Sequence, residues 1–596
     1  AAILAAFFRS RMSMASLARS FGTVGANTLV SRVLGFVRDL VTAHVFGAGA
    51  ATDAFFVAFK IPNFLRRLFA EGAFAVAFVP VLSEYKAKRS LAELRLFVDH
   101  VAGTLGLVLL GVTVVGMLAA PALVSVFAPG FLREPAVFEL ATGMLRITFP
   151  YLLLISLTAF AGGILNTHQR FGVPAFTPVL LNLSLIGCAW WLAPVLEQPI
   201  TALAWGVLLA GVLQLAFQVP FLCQLNLLPR FRPAPRDEGV RRVPRLMVPA
   251  LVGVSVAQIS LLSDTLLASF RDAGSITWLY CSDRLMECPL GILGAALATV
   301  ILPNLSRRHA EASPQEFSRT LDWGLRTTLL LGVPASLGLL LLAGPMIATL
   351  FHSGNFDQHD VLMAERSLMA YSAGLTAFIL VKVLAPGFYA RQDTRTPVRI
   401  AVIALATNMV LNVALVFPLR HAGLALATTL AAVLNAALLY RGLRREGVYV
   451  PPAGWARIWA ALAVSGGLMA ALLLWGAGDV HAWLALERSD RVVRLVGWIL
   501  AGGGVYVASL LAFGLRFRDF RGRRAVGPRR GAQHVYSRPF WARGPRCNWS
   551  AACTTCVRRT VAAWPPSATS TVCTSATRPC SRACASSAGS SASRRR

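Results

Sequence analysis

Acidic residues are scarce in this 596-residue chain: Asp and Glu number 27 against 57 Lys and Arg, and only 14% of all residues are charged while 56% are hydrophobic. A soluble globular chain carries about a quarter charged residues, so a mean hydropathy of +0.62 excludes a water-facing surface for most of the molecule. No G-x-x-x-x-G-K-[ST] loop occurs, and none of the four lysines follows a glycine, which excludes ATP hydrolysis through a P-loop of the chain's own. Carboxylates are few in the loops on one side, among them Glu134, Glu197, Asp357 and Asp360, so the paired acid and base of a membrane enzyme has nowhere to sit, and the chain is expected not to be an enzyme. Cysteine is sparse in the body: Cys188, Cys223, Cys281 and Cys288 read as small apolar packing residues. The other six fall in residues 521–596, where Cys553 and Cys556 have a CxxC spacing without a second pair or a His pattern, which does not make a zinc site.

Residues 521–596 also contain fifteen Arg and no Lys, Asp or Glu, a composition that builds no packed core. Arg outnumbers Lys 53 to 4 in the chain, which indicates GC-rich codons, and GC-rich DNA read out of frame yields Arg, Ala, Ser, Pro and Cys. The segment is expected to be a disordered basic tail of frameshift origin. At the other end "AAILAAFFRSR" precedes Met12 and Met14, so residues 1–13 are expected to be an upstream extension.

What remains is a series of apolar runs such as "LGLVLLGVTVVGMLAAPALVSVF" (105–127), long enough to cross a hydrocarbon core of about 30 Å as helices. The expected fold is an all-α polytopic membrane protein with about fourteen transmembrane helices. Alternate loops hold twenty cations on one side and six on the other, which places the first set and both termini in the cytoplasm. Arg-rich loops beside anionic head groups account for much of the net charge of +30 with membrane lipids as partners and no nucleic acid. An internal repeat is visible: Pro80 and Pro303, Gln169 and Gln392, and Ala202 and Ala425 are each 223 residues apart. Since that interval holds six spans, two parallel six-helix repeats are expected, followed by two C-terminal helices, a layout typical of transporters. The organisation is then an N-terminal lobe over 14–228, a basic cytoplasmic linker over 229–246, a C-terminal lobe over 247–447 and helices 13 and 14 over 448–520.

One Arg or Asp at the centre of a spanning helix costs roughly 2.5 to 3.5 kcal/mol, yet such residues concentrate in the first two helices of each half. They are Arg32, Arg38, Asp39, Asp53, Lys60, Arg66, Arg67 and Glu71 in one, and Asp264, Asp283, Arg284 and Glu287 in the other. Equivalent helices of two repeats face each other across the central axis, so these groups are expected to line one cavity, with Arg67 and Lys60 also fitting a snorkelling role. An excess of buried guanidinium, in Arg32, Arg66 and Arg284, calls for an anion, and its planar fork matches a phosphate or diphosphate.

"SRVLGFVRD" (31–39), "ATDAFFVAFKIPNFLRRLFAEGAF" (51–74), "AFVPVLSEYK" (77–86), "DRLMECPLGILG" (283–294) and "VKVLAPGFYARQDTRTPV" (381–398) closely resemble the MurJ (MviN) family of bacterial lipid II flippases, over roughly residues 14–526. The resemblance implies the multidrug/oligosaccharidyl-lipid/polysaccharide exporter fold, an alternating-access cavity in the bacterial inner membrane, and lipid II as partner and cargo. It implies cavity residues at Arg32, Arg38, Asp53, Arg66, Glu71 and Arg284, with Asp283 beside them. Cys288 stands where the family usually has an aromatic residue. Asp264, Asn408, Asn412 and Thr428 place oxygens on helices seven, eleven and twelve; the resemblance makes sodium the candidate ligand, while interhelical hydrogen bonding accounts for the same residues. Helices 13 and 14 suit either a groove for the lipid tail or simple packing. Two other readings stay open: an exporter of another oligosaccharide-lipid, and a non-transporting scaffold for cell-wall enzymes.

Overall fold

The computed structural model describes residues 2–67 and 74–514. Glu71 and the tail 521–596 lie outside the described residues. The first half comprises α1 (Ala2–Phe46), α2 (Ala50–Arg66), α3 (Phe74–Lys88), α4 (Leu91–Leu118), α5 (Ala120–Phe127), α6 (Pro135–Thr148), α7 (Tyr151–Thr167), α8 (Gly172–Gly187) and α9 (Thr201–Gln224). The second comprises α10 (Glu238–Ala268), α11 (Ser275–Pro289), α12 (Ala295–Ala310), α13 (Pro314–Leu341), α14 (Ala343–Leu350), α15 (Gln358–Ser372), α16 (Leu375–Tyr389) and α17 (Arg395–Arg445). Then follow α18 (Trp455–Ala477), α19 (Val480–Leu484) and α20 (Arg488–Ala512). The described structure is all-helical, as expected.

Ten described helical stretches are long and apolar enough to cross a membrane, against the fourteen expected from the sequence. One of the ten is α17, whose 51 residues would run roughly 75 Å at about 1.5 Å per residue, more than twice a hydrocarbon core. It breaks at Arg420, which adopts φ 52° and ψ −136° two residues after Pro418, so this stretch is two helices. The helices α1, α2 and α10 are absent from the ten and carry embedded charge at Arg38, Asp53 and Asp264.

The 223-residue repeat is written into the backbone. After α7 the Arg170 amide donates to the Leu165 carbonyl at 2.9 Å, and after α16 the Asp393 amide donates to the Phe388 carbonyl at 3.2 Å. In each loop the preceding glutamine is left-handed, Gln169 at φ 61° and Gln392 at φ 63°. These are the six-to-one bonds of a Schellman ending, made twice with a non-glycine residue. Likewise α11 widens into a π turn over Leu290–Gly294, and the first half begins the same widening at Arg67, 223 residues earlier.

The loops gather at two ends. One end holds residues 47–49, 269–274, 351–357 and 478–487; the other holds 89–90, 168–171, 225–237, 311–313, 390–394 and 446–454. At the second end the connector 225–237 is strapped to α4: Arg95 Nε donates to the Asn226 carbonyl (2.9 Å), the Arg230 amide to Asp99 Oδ1 (2.8 Å) and the Ala234 amide to Thr104 Oγ1 (3.0 Å). Only glycine at 103 admits this approach, since a Cβ there would lie 2.5 Å from the Arg232 backbone. The stretch 229–246, expected to be linker, is half helix. Asp237 caps α10 by accepting from the Val240 amide at 3.1 Å, and α10 starts at Glu238. An N-cap Asp followed by an acidic first turn was hidden among the arginines.

Gly103→Val should therefore force a branched side chain into the connector. Overpacking of this kind costs about 1–3 kcal/mol, read as a lower melting temperature of the detergent-purified protein and faster proteolysis between Arg230 and Arg236. Gly111→Ala, where a Cβ meets nothing within 4 Å, should leave both unchanged.

Candidate functional site

At the first end the two halves are locked together by a helix cap. The residue before α11 is Gly274, at φ 96° and without a side chain to cap anything, so beyond the Ser275 amide, which donates to the Asp272 carbonyl at 3.1 Å, the first amides of that helix lack a local acceptor. Asp53, in the first turn of α2 and 3% exposed, supplies one from the other half. Its carboxylate accepts from the Gly274 amide (2.8 Å), the Thr277 amide (2.8 Å), the Ile276 amide (3.4 Å) and the Thr277 hydroxyl (2.6 Å). A negative charge at a helix N-terminus also meets the positive end of its dipole. Around this latch Asn355 donates through its amide to the His44 carbonyl (3.1 Å) and through Nδ2 to the Val45 carbonyl (2.6 Å). Gly354, at φ 60°, lets the chains meet there, because a Cβ would lie 2.2 Å from the His44 oxygen.

Below the latch lies a mixed-charge layer. Arg38 is buried and spends all three nitrogens: Nη2 and Nε donate to Asp39 Oδ1 (2.6 and 3.0 Å), Nη1 to Asn182 Oδ1 (3.1 Å), and Nη2 also to the Tyr280 hydroxyl (2.9 Å). Arg284 approaches from α11, with Nε 3.3 Å from Asp39 Oδ2 and Nη1 3.1 Å from Glu287. Two guanidinium groups thus share the Asp39 carboxylate across the halves. Arg284 Nε and Nη2 also donate to the Tyr280 hydroxyl, both at 3.1 Å, so its nitrogens are engaged as well; what sets it apart is exposure, 37% of its side chain against 5% for Asp39. Phe56 packs on Tyr280 at 4.2 Å between centroids and seals the layer from above.

The remaining cations are more open. Arg32 is exposed and its Nη1 lies 2.5 Å from where a Cβ on Gly291 would stand, against the π turn that follows Arg284. Arg66 is half-buried and donates from Nε to Asn63 Oδ1 at 2.9 Å. Asp283 is half-buried. Of the residues expected to line one cavity, then, Arg38 and Asp53 face the contact between the halves, Arg32 and Arg284 lie on either side of the π turn, and Arg66 sits at the far end of α2. Lys382 was not among the expected residues. It is exposed in α16, and its Cδ lies 2.8 Å from where a Cβ on Gly294 would stand, which brings a third cation to the same π turn. The available signal was its rarity: one of four lysines, set in the apolar run "LTAFILVKVLAPGFY".

A second polar cluster sits where α10 packs on α17. Asn412 Nδ2 donates to Asp264 Oδ1 at 2.7 Å, and Thr428, beyond the Arg420 break, donates its hydroxyl to the Leu424 carbonyl at 3.1 Å and acts on the same carboxylate. Asn412 is fully buried, yet its Oδ1 has no hydrogen-bond partner, and Asn408 is buried one turn earlier. A carboxylate, an orphaned amide oxygen and a hydroxyl make a hard oxygen donor set, which fits a small cation such as sodium. Among the described residues no group of three or more His, Cys, Asp or Glu is placed to hold a metal ion. Elsewhere an apolar cavity of about 500 Å³ opens between α13, α16, the second part of α17 and the start of α18, lined by residues including Leu329, Leu384, Tyr440, Trp455 and Trp459.

Residues 42–489 match the family described as lipid II flippase MurJ. A Vibrio cholerae protein named "Probable lipid II flippase MurJ" is 50% identical over 505 residues, covering 84% of this chain and 96% of its own. A Burkholderia cenocepacia protein named "Lipid II flippase MurJ" is 43% identical over 514 residues, 85% of this chain and 99% of its own. Among solved structures, "Lipid II flippase MurJ, inward closed conformation" superposes with a TM-score of 0.69 at 26% identity, covering 84% of this chain and 99% of that one.

Removing the borrowed cap should loosen the latch. Asp53→Ala forfeits a capping interaction of about 1–2 kcal/mol, roughly 5- to 30-fold in the closed-to-open ratio. In a background from which all ten native cysteines have been removed, the Ser275→Cys thiol, at a fully buried position, should react with maleimide faster by that factor in the Asp53→Ala protein than in the parent.

Proposed function

The chain belongs to the lipid II flippase MurJ family, and from that membership we propose that it carries lipid II from the cytoplasmic to the outer leaflet of the membrane by alternating access, with Arg32, Arg284 and Arg66 receiving the diphosphate. It is a multi-pass protein of the bacterial inner membrane and a carrier rather than a catalyst. The observation that carries this reading is the sorting of charge by burial: Arg38 and Asp53 are buried in contacts with α11, while Arg32 and Arg284 stay open to solvent beside the π turn.

The cation bias of the loops supports an outward position for the latched end, with the substrate entering from the cytoplasmic side. The head group, which cannot cross hydrocarbon, is held by guanidinium forks matched to phosphate oxygens in two-point fashion. Its arrival supplies the differential contact that a change of state requires, because an anion bound at Arg284 competes with Asp39 for the same guanidinium. Losing that bridge weakens the layer under the Asp53 latch. The polyprenyl tail stays in the membrane, and the apolar cavity beside α18 offers it a groove. An inside-negative potential, worth about 2.3 kcal/mol per charge per 100 mV, favours outward movement of the anionic head. Asp264, Asn412, Thr428 and Asn408 would hold sodium, which when bound would add the energy of its gradient.

Single Ala replacements of Arg32, Arg66 or Arg284 should abolish complementation of a strain depleted of its flippase while membrane abundance stays normal. Lys at the same positions should restore it only in part, since the charge remains and the fork does not. Arg67→Ala, altering an exposed residue about 100° around the helix from Arg66, should be tolerated. Full complementation by the triple Ala protein at normal abundance would remove the diphosphate site and favour a scaffold role.

A further inference from the structure

Lys60 is the one cation of α2 that reaches into the second polar cluster. Its Nζ donates to Thr265 Oγ1 at 2.8 Å across the contact between the halves, next to Asp264 in the chain. Lys60 is half-buried, and the carboxylates of Asp264, Asp283 and Asp53 all act on its charge. Asp264 itself accepts from Asn412 Nδ2 at 2.7 Å. Asp283 lies 223 residues after Lys60, so the repeat sets an ammonium and a carboxylate at equivalent positions of the two halves.

The residue type is informative. This chain uses Arg for 53 of its 57 Lys and Arg positions, yet here it uses Lys. A guanidinium is a flat fork suited to phosphate, whereas an ammonium is a compact point charge with three donors, closer in size and demand to a small monovalent cation among oxygen ligands. Position matters as well. Lys60 is seven residues after Asp53, hence on the same face of α2, and both side chains reach the second half. The helix that caps α11 also delivers the ammonium to α10.

We propose that Lys60 is a tethered competitor of the monovalent cation for the Asp264 cluster. With the latch closed, its ammonium neutralises the carboxylates that the cation would need. When α2 withdraws with its half, the ammonium leaves, and the cluster of Asp264, Asn412 and Thr428 is left with an unbalanced carboxylate that a free cation fills. By linkage, a cation bound there favours the unlatched state by the same factor as unlatching raises its affinity. The inference rests on the reading of Asp264 and its neighbours as a cation site.

The experiment is direct binding of radiolabelled sodium to the purified full chain in detergent, comparing the parent with Lys60→Met, Lys60→Gln, Asp264→Asn and Lys86→Met. The expected result is a sodium affinity raised at least 10-fold in both Lys60 variants, unchanged in Lys86→Met, and lost in Asp264→Asn. A merely structural Lys60 would not raise affinity when removed. Should Lys60→Met fail to fold, Lys60→Gln keeps an amide that can still donate to Thr265 and carries the test. Parent-like affinity in the Lys60 variants with loss in Asp264→Asn would overturn the competitor role and leave the cation site standing. Parent-like binding in Asp264→Asn, or no saturable binding in any protein, would overturn the site and the inference together.

Discussion

A helix whose own N-cap position is glycine must find its acceptor elsewhere, and in this molecule it finds it in the other half of the chain. The Asp53 carboxylate receives three backbone amides and one hydroxyl of α11, an arrangement that satisfies donors water could otherwise reach only by separating the halves. Contacts between the halves on that side depend on it. The Phe56–Tyr280 contact is available only while α2 and α11 stay in register, and the Arg38–Tyr280 bond only while the halves stay together, whereas Arg38 keeps Asp39 and Asn182 within its own half. Because the contact is electrostatic and made of a few directional bonds, it can be broken as a unit, unlike the packed apolar interior, which resists graded deformation.

The guanidinium groups divide by exposure. Arg38 has a carboxylate, an amide and a phenol, and has no donor nitrogen left over. Arg284 shares the same carboxylate but is more than a third exposed. Both are fully hydrogen-bonded, so the difference between them is one of access: an anion meets the more exposed Arg284 first. The π turn at Leu290–Gly294 matters here because widening the helix and leaving glycines at 291 and 294 makes room for the side chains of Arg32 and Lys382.

The sequence was most legible where a physical rule leaves a repeating mark. Apolar runs declared helices, and the fixed offset of 223 between Gln169 and Gln392 marked a repeat that the backbone keeps down to individual hydrogen bonds. It was least legible where role depends on partner. Arg32 and Arg38 sit six residues apart in one motif, and nothing in their spacing tells which will be buried against Asp39 and Asn182. Asp53 looked like one more cavity charge, because a cap borrowed from 221 residues away leaves no local signature at either end. Lys382 lies in an apolar run with no charged neighbour to mark a role, whereas the break at Arg420 was legible, since Asn412 and Thr428 already fall on separate helices, eleven and twelve, with Pro418 between them. The start of α10 was obscured because Asp237 lies within a cluster of arginines that reads as a loop.

The strapping of the connector to α4 has a mechanical consequence. It fixes the first turns of α10 to the first half, where Arg242 pairs with Glu84 at 2.9 Å, while the later turns pack on α17 and carry Asp264. One continuous helix of 31 residues therefore belongs to both bodies. The halves cannot swing like doors on a loop; their relative motion has to pass through α10 as bending. A beam clamped at both ends has a preferred curvature in each position of its supports. The element linking the two halves is thus a flexure, and where it bends will decide how far the end opposite the latch can close.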